Sequence, residues 1–183
     1  LSGIQEIITT SVGILFAFSL LLGLKITTIQ EIVRKFDIKS LIHPENISIN
    51  DLLLDFGLYP TTGIRDIFQS LIKRILHKDN LTLHELYEIK GIKLTVKVFN
   101  TTRQQIEYIS HESHPTLSIV TLAQMTTAIP IFFKPVNYDG NLYTDGGLRG
   151  SLPIEICQSE NYLGVYVNGL SSEKLFTSGI GEV

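Results

Sequence analysis

Thr9-Thr10-Ser11-Val12-Gly13, followed by the apolar run Ile14 to Leu24, is the stretch whose reading decides the fold. Ile7 and Ile8 before it read as a buried strand, and the run after it reads as a buried helix. The serine between them then sits at a sharp strand-to-helix turn. Ser11, Val12 and Gly13 fit the pattern G-x-S-x-G, in which such a turn lifts the hydroxyl off the backbone. Thr9 stands where the first glycine belongs. A buried helix with a stray serine would show the same five residues, so the weight falls on what lies elsewhere in the chain.

At 183 residues, 44% hydrophobic and 18% charged, the chain is large enough for one domain with a substantial core. Its formal charge of −3 and its scattered lysines and arginines give no electrostatic footprint for nucleic acid. A single cysteine, Cys157, excludes an internal disulfide and a zinc site built on several thiolates. The run Ile7 to Ile26 approaches the roughly 20 apolar residues of a membrane span. It carries two glycines, three consecutive Thr/Ser residues and Ser19, and the only charge before it is Glu6, where a signal peptide carries positive charge, so a buried strand–helix segment is the expectation.

Gly23 and Leu24 close the first helix, and Thr28-x-x-Glu31 reads as a capping box opening the next, with Ile29, Ile32, Val33 and Phe36 on one face. Residues 41–49 read as a loop, and Leu52 to Phe56 as a short buried helix stopped at Gly57. Ile64, Ile67, Phe68, Leu71, Ile72 and Ile75 repeat the helical spacing. Thr82-x-x-Glu85 is a second capping box, and Gly91 a helix stop. There the period changes. Leu94, Val96 and Val98 alternate with Lys93, Thr95 and Lys97, which predicts a half-buried strand, paired through Thr101-Thr102-Arg103 with another over Gln105 to Ser110. Leu117 to Thr127 reads as a helix ended at Pro130. Ile131 to Phe133 and Val136 to Tyr138 read as short extended pieces, and Asp139-Gly140 as a hairpin turn before Asn141-Leu142-Tyr143. Tyr162 to Val167 reads as one more buried strand, and the chain from Gly169 as a loose tail. Strands interleaved with helices indicate an α/β fold.

Asp145-Gly146-Gly147 is the second anchor. An aspartate after a strand and before two glycines stands at a strand's carboxyl end, where open α/β sheets place their sites. Ser11 and Asp145 could therefore meet over one sheet edge. The five histidines (His43, His77, His84, His111 and His114) all precede Asp145, so the order Ser, Asp, His of the α/β-hydrolase triad is absent. Each lies in or beside a polar loop or short helix, which suits a surface role. Other triad orders exist by convergence.

The chain resembles the patatin-like phospholipases, lipid acyl hydrolases that use a Ser–Asp dyad. The likeness is carried by Thr10 to Gly13 with its apolar helix, by the proline-centred stretch Leu122 to Val136, by Tyr143-Thr144-Asp145-Gly146-Gly147-Leu148 and by Pro153, in that order. It implies an α/β three-layer sandwich with a mostly parallel central sheet, built from residues 1–183 as a single domain. It also implies Ser11 as nucleophile and Asp145 as its partner, with Gly13, Gly146 and Gly147 shaping the turns. Val12 and Gly3 would supply oxyanion donors. The implied substrate is a phospholipid or other acyl-ester lipid, met through transient contact with a membrane surface from the cytoplasm. No cofactor, metal or nucleic acid is expected.

The first glycine-rich unit departs from that pattern. Leu1-Ser2-Gly3 resembles its start, yet only residues 4–10 separate Gly3 from Ser11. A crossover between parallel strands takes at least about 10–12 residues. Either residues of the pattern are missing between Gly3 and Thr9, or the oxyanion hole is incomplete. Three functions stay open at this point: an active lipid acyl hydrolase, a catalytically silent lipid-binding or membrane-associated protein that keeps the fold, and, as a minor reading, a membrane-anchored helical protein using Ile7 to Ile26.

Overall fold

The computed structural model describes residues 3–35 and 57–166. β1 (Glu6–Thr10) turns through Ser11 and Val12 into α1 (Gly13–Leu21), and α2 (Ile26–Lys35) follows. The membrane-length run is thus divided into a five-residue strand and a nine-residue helix. No helix among the described residues is long and apolar enough to cross a membrane. Gly23, at φ 79, turns the chain so tightly that Lys25 O already accepts the Ile29 N–H at 3.0 Å. α2 therefore starts before Thr28, which lies inside its first turn, and the capping box expected there does not open the helix. Position Phe36, the loop over 41–49, the helix over 52–56 and the tail from Gly169 lie outside the described residues.

β2 (Gly57–Tyr59) and α3 (Thr62–Leu76) come next, with Ile64, Phe68 and Ile72 buried along one helix face. α4 (Leu83–Lys90) opens on the predicted capping box. The Glu85 N–H donates to Thr82 Oγ1 at 3.2 Å, and the Thr82 N–H donates to Glu85 Oε2 at 2.8 Å. Such caps contribute about 0.5–2 kcal/mol. Gly91, left-handed at φ 63, ends the helix. β3 (Lys93–Asn100), β4 (Gln105–Ile109), α5 (Ile119–Thr127), β5 (Ile131–Phe133), β6 (Val136–Tyr138) and β7 (Asn141–Asp145) complete the larger elements. Two short 3₁₀ turns, Gly146–Arg149 and Ile154–Ile156, form a strap after β7.

The main sheet has five strands arranged around β3, while β2 and β5 form a separate parallel pair. In it β1 runs parallel to β3, and the β3–β4, β3–β7 and β6–β7 pairs are antiparallel. The sheet is therefore mixed rather than mostly parallel. The cause is local: the tight turns at 101–104 and at Asp139-Gly140 can join only antiparallel neighbours.

Leu94, Val96 and Val98 of β3 share one core with Ile14, Phe18, Phe68, Leu86 and Leu122, so α1, α3, α4 and α5 all pack on this face. Phe18 and Phe68 stack at 5.2 Å in its midst. The alternate residues Thr95 and Lys97 were expected to meet solvent, but both are buried on the opposite face. What covers Lys97 there is the strap after β7, which accepts its hydrogen bonds. Residues 162–166 form no strand, and Tyr162, Leu163, Val165 and Tyr166 are exposed. Strand-forming residues need a neighbouring backbone to pair with, and no described strand lies beside them.

Candidate active site

β3 brings the two anchors together. At Val96 it has Thr9 of β1 on one side and Ile109 of β4 on the other; at Val98 it has Asp145 of β7 and Glu107 of β4. β1 and β7 thus lie along the same edge of β3 and approach each other from opposite directions. β1 ends at Thr10 opposite Lys97, and β7 ends at Asp145 opposite Val98. The residue after Thr10 is Ser11, so the register itself delivers the hydroxyl to the carboxylate.

Ser11 has φ 53, in the left-handed region that a residue with a Cβ seldom adopts. Such strain, about 1–3 kcal/mol per residue, collects at functional sites. Its Oγ donates to Asp145 Oδ2 at 2.5 Å. The other carboxylate oxygen, Oδ1, accepts the Gly147 N–H at 2.7 Å, and the Asp145 N–H donates to Ala128 O at 3.0 Å. Asp145 is 5% exposed. Burial pushes its carboxyl above the ordinary aspartate range, against the opposing pull of the Ser11 hydroxyl and the Gly147 amide. Ser11 is half-buried, and Val12 beside it is exposed.

The glycines have separate reasons to be there. A Cβ on Gly13 would lie 2.4 Å from Thr9 Oγ1, so the threonine at the first glycine position fits because Gly13 has no side chain. A Cβ on Gly146 would lie 2.6 Å from the Lys97 carbonyl oxygen, which forbids any other residue there without moving β3. Gly147 supplies the amide that holds Asp145 Oδ1.

Gly3 does not join the site. It precedes β1, whose ladder begins where the Lys93 N–H donates to Gln5 O, whereas Ser11 follows the strand's other end. At roughly 3.3 Å per residue, five extended residues hold the two apart by about 17 Å. The expected oxyanion role of Gly3 is corrected on that ground: the strand itself occupies the chain that would have to fold back.

Thr126 carried no weight in the sequence, yet it is wholly buried beside the pair. Its Oγ1 accepts the Ser11 N–H at 2.8 Å and donates to Lys97 O at 2.8 Å. The signal for it lay in the stretch Leu122 to Val136, but only the register of β1 against β3 shows which residue reaches Ser11. Of the described histidines outside the helices and their caps, His111 stacks on Tyr87 and His114 stands 3.0 Å from Ser113 through Nδ1, and neither is bonded to the pair. A polar cleft of about 320 Å³ lies over β4 and the β6–β7 hairpin, lined in part by Arg103, Glu107, Tyr108 and Tyr143, and neither Ser11 nor Asp145 is among its walls. Among the described residues no three His, Cys, Asp or Glu side chains are grouped to hold a metal ion.

A serine in a left-handed turn, bonded to a buried aspartate across a sheet edge, is matched by a family-level similarity. The family model for patatin-like phospholipase matches residues 3–157. The chain belongs to the patatin-like phospholipase family. A further relative is the probable lipid hydrolase 463L of invertebrate iridescent virus 6, 37% identical over 46 residues, which are 25% of this chain and 16% of that protein. Among solved structures, VipD from Legionella pneumophila superposes with a TM-score of 0.55 at 18% identity, over 79% of this chain and 40% of VipD. That likeness concerns the α/β fold. This patatin-like chain thus matches less than half the length of either relative.

Proposed function

We propose that the chain is a lipid acyl hydrolase in which Ser11 and Asp145 act as a catalytic dyad. The family supports hydrolysis of lipid esters, and the observation that carries the residue assignment is the 2.5 Å hydrogen bond from Ser11 Oγ to Asp145 Oδ2. Ser11 Oγ attacks the ester carbonyl and forms the new C–O bond while its proton passes to Asp145. Collapse of the tetrahedral intermediate expels the alcohol, which takes that proton, and leaves an acyl-enzyme. Water then attacks the acyl carbonyl, gives its proton to Asp145, and the fatty acid departs as the proton returns to Ser11 Oγ.

Free aspartate, with a pKa of about 3.9, is a weak base for serine. Burial strengthens Asp145 as a base, and the short bond keeps its oxygen in line with the proton it must accept. The developing oxyanion needs donors as well, since losing one costs about 10²–10³ in rate. The Ser11 N–H is committed to Thr126. The Val12 N–H, at the start of α1 where helical N–H groups have no intrahelical partner, is the donor this reading assigns.

The substrate is a phospholipid or related acyl ester reached at a membrane surface. Exposed apolar side chains adjoin each segment of the site: Val12 and Phe16 after Ser11, Leu148 after Asp145, and Ile129, Ile131 and Phe132 after Ala128. The same reading takes residues 1–183 as a single domain whose polar sheet face would carry the third layer of the sandwich. The test is fatty-acid release from phosphatidylcholine vesicles. Ser11→Ala and Asp145→Asn should each remove it while the circular dichroism spectrum is kept; substantial turnover by either variant excludes the dyad.

A second reading, a catalytically silent lipid-binding protein, draws on one observation, the distance of Gly3 from Ser11. It predicts a folded chain that binds the vesicles and releases no fatty acid.

A further inference from the structure

Lys97 lies at the centre of β3, 1% exposed, and the chemistry above gives it no part. A buried ammonium is costly unless its three donors find partners. Nζ donates to Arg149 O at 3.1 Å, to Gly150 O at 3.0 Å and to Glu155 Oε1 at 2.6 Å. All three acceptors belong to the strap that leaves Asp145. Tyr108 of β4 donates to the same Glu155 oxygen and secures its far end. The stem of Lys97 also touches the start of the strap, since a Cβ on Gly146 would fall 2.9 Å from Lys97 Cγ.

The backbone of Lys97 serves the other half of the pair. Its carbonyl lies where β1 has ended and β7 has not begun, and it accepts from Thr126 Oγ1, which in turn accepts the Ser11 N–H. One residue is therefore linked to both members of the pair, through its ammonium on one face of the sheet and through its carbonyl toward α5 on the other, with no contact of its own to either carboxylate or hydroxyl among the bonds above.

We infer that Lys97 is a positioning residue for Ser11 and Asp145, its ammonium fixing the strap that begins at Asp145 and its carbonyl, through Thr126, fixing the turn at Ser11. The inference rests on the reading of Ser11 as nucleophile. A lysine needed only for stability would, on removal, lower the melting temperature and leave Ser11 in the surviving folded protein as reactive as before. A positioning lysine changes that reactivity. It also changes the surroundings of Asp145, because a loosened strap admits water to a carboxyl that burial holds above its ordinary range. The groups bonded to that carboxyl are the Ser11 hydroxyl and the Gly147 amide, and neither titrates in that range.

The test is the rate of covalent capture of Ser11 by a fluorophosphonate ester across pH, in wild type, Lys97→Met and Glu155→Gln, each at a temperature where circular dichroism shows it folded. Lys97→Met should react about 10- to 100-fold more slowly, the range a small misplacement costs, and Glu155→Gln less severely. In both, the inflection of rate against pH should move down toward the ordinary aspartate value of about 3.9. Wild-type rates and an unmoved inflection in the folded variants overturn the inference. If Lys97→Met does not fold, Glu155→Gln, altered at a half-exposed side chain, decides alone. A wild-type chain that takes no label overturns the nucleophile reading, and the inference with it.

Discussion

Thr9 Oγ1 fills the space that a side chain on Gly13 would need, 2.4 Å from the point where its Cβ would lie. The strand before Ser11 and the helix after it are therefore fitted to each other through one hydroxyl. Gly13→Ala should be destabilising by about 1–3 kcal/mol, as overpacking usually is. That outweighs the gain of up to about 1 kcal/mol that alanine brings to a helix. Thr9→Ala in the same chain removes the Oγ1 and leaves only ordinary contact, so the double variant should recover most of the loss. Denaturant midpoints of the two single variants and the double variant measure this, and additive losses would count against it.

Gly146 offers no such relief. The atoms nearest a Cβ there are the carbonyl oxygen and carbon of Lys97, at 2.6 and 2.7 Å, which no substitution can trim. Gly146→Ala should lower both stability and fatty-acid release, and shortening the Lys97 side chain should restore neither. Thermal unfolding and turnover of Gly146→Ala, alone and with Lys97→Ala, check it.

Asp145 is held above the ordinary aspartate range in the folded chain, so between its unfolded and folded pKa the folded state binds more protons. Its contribution favours folding at acid pH and is lost as pH rises through the folded value. Asp145→Asn removes the cost of the buried charge. The variant should melt at or above the wild-type temperature at pH 7, and the difference should shrink as pH falls through the folded value and level off below about 3.9. A gap that widens toward acid would contradict the sign.

Glu155 titrates the other way. The Lys97 ammonium first, and then the Tyr108 hydroxyl, pull its carboxyl down from 4.5 to about 2. A depressed carboxylate stabilises above its unfolded value and loses that contribution as pH falls through the folded one. Wild type should therefore lose part of its stability between about pH 4.5 and 2 that Glu155→Gln does not lose over the same window. The side chain is 47% exposed, so solvent screening keeps the effect small. Unfolding midpoints of the two proteins across that window measure it.

Local signals were legible wherever the chain decides by itself. The Ser11 turn, the capping box at Thr82 and Glu85, the stop at Gly91 and the hairpin at Asp139-Gly140 all depend on neighbours within a few residues, and each stands where the pattern put it. Thr28 looked like the same cap, but Gly23 had already turned the chain and started α2 early. What needed a distant partner was hidden. Lys97 alternates with valines as a solvent-facing residue should, and only the strap after β7 buries it. Thr126 reads as one of four polar residues in its helix until the Ser11 N–H and the Lys97 carbonyl are found beside it. Tyr162 to Tyr166 have the composition of a strand and no described neighbour to pair with. Gly3 resembled part of the site by motif, and five extended residues of β1 carry it to the wrong end.

The central claim is that Asp145 takes the proton of Ser11, and capture by a fluorophosphonate ester, located by peptide mass spectrometry, tests it most directly. Wild type should take the label on Ser11, and Asp145→Asn should do so slower by about 10² or more, the range a positioned base supplies. Label on another residue, or equal rates in the two proteins, would contradict it.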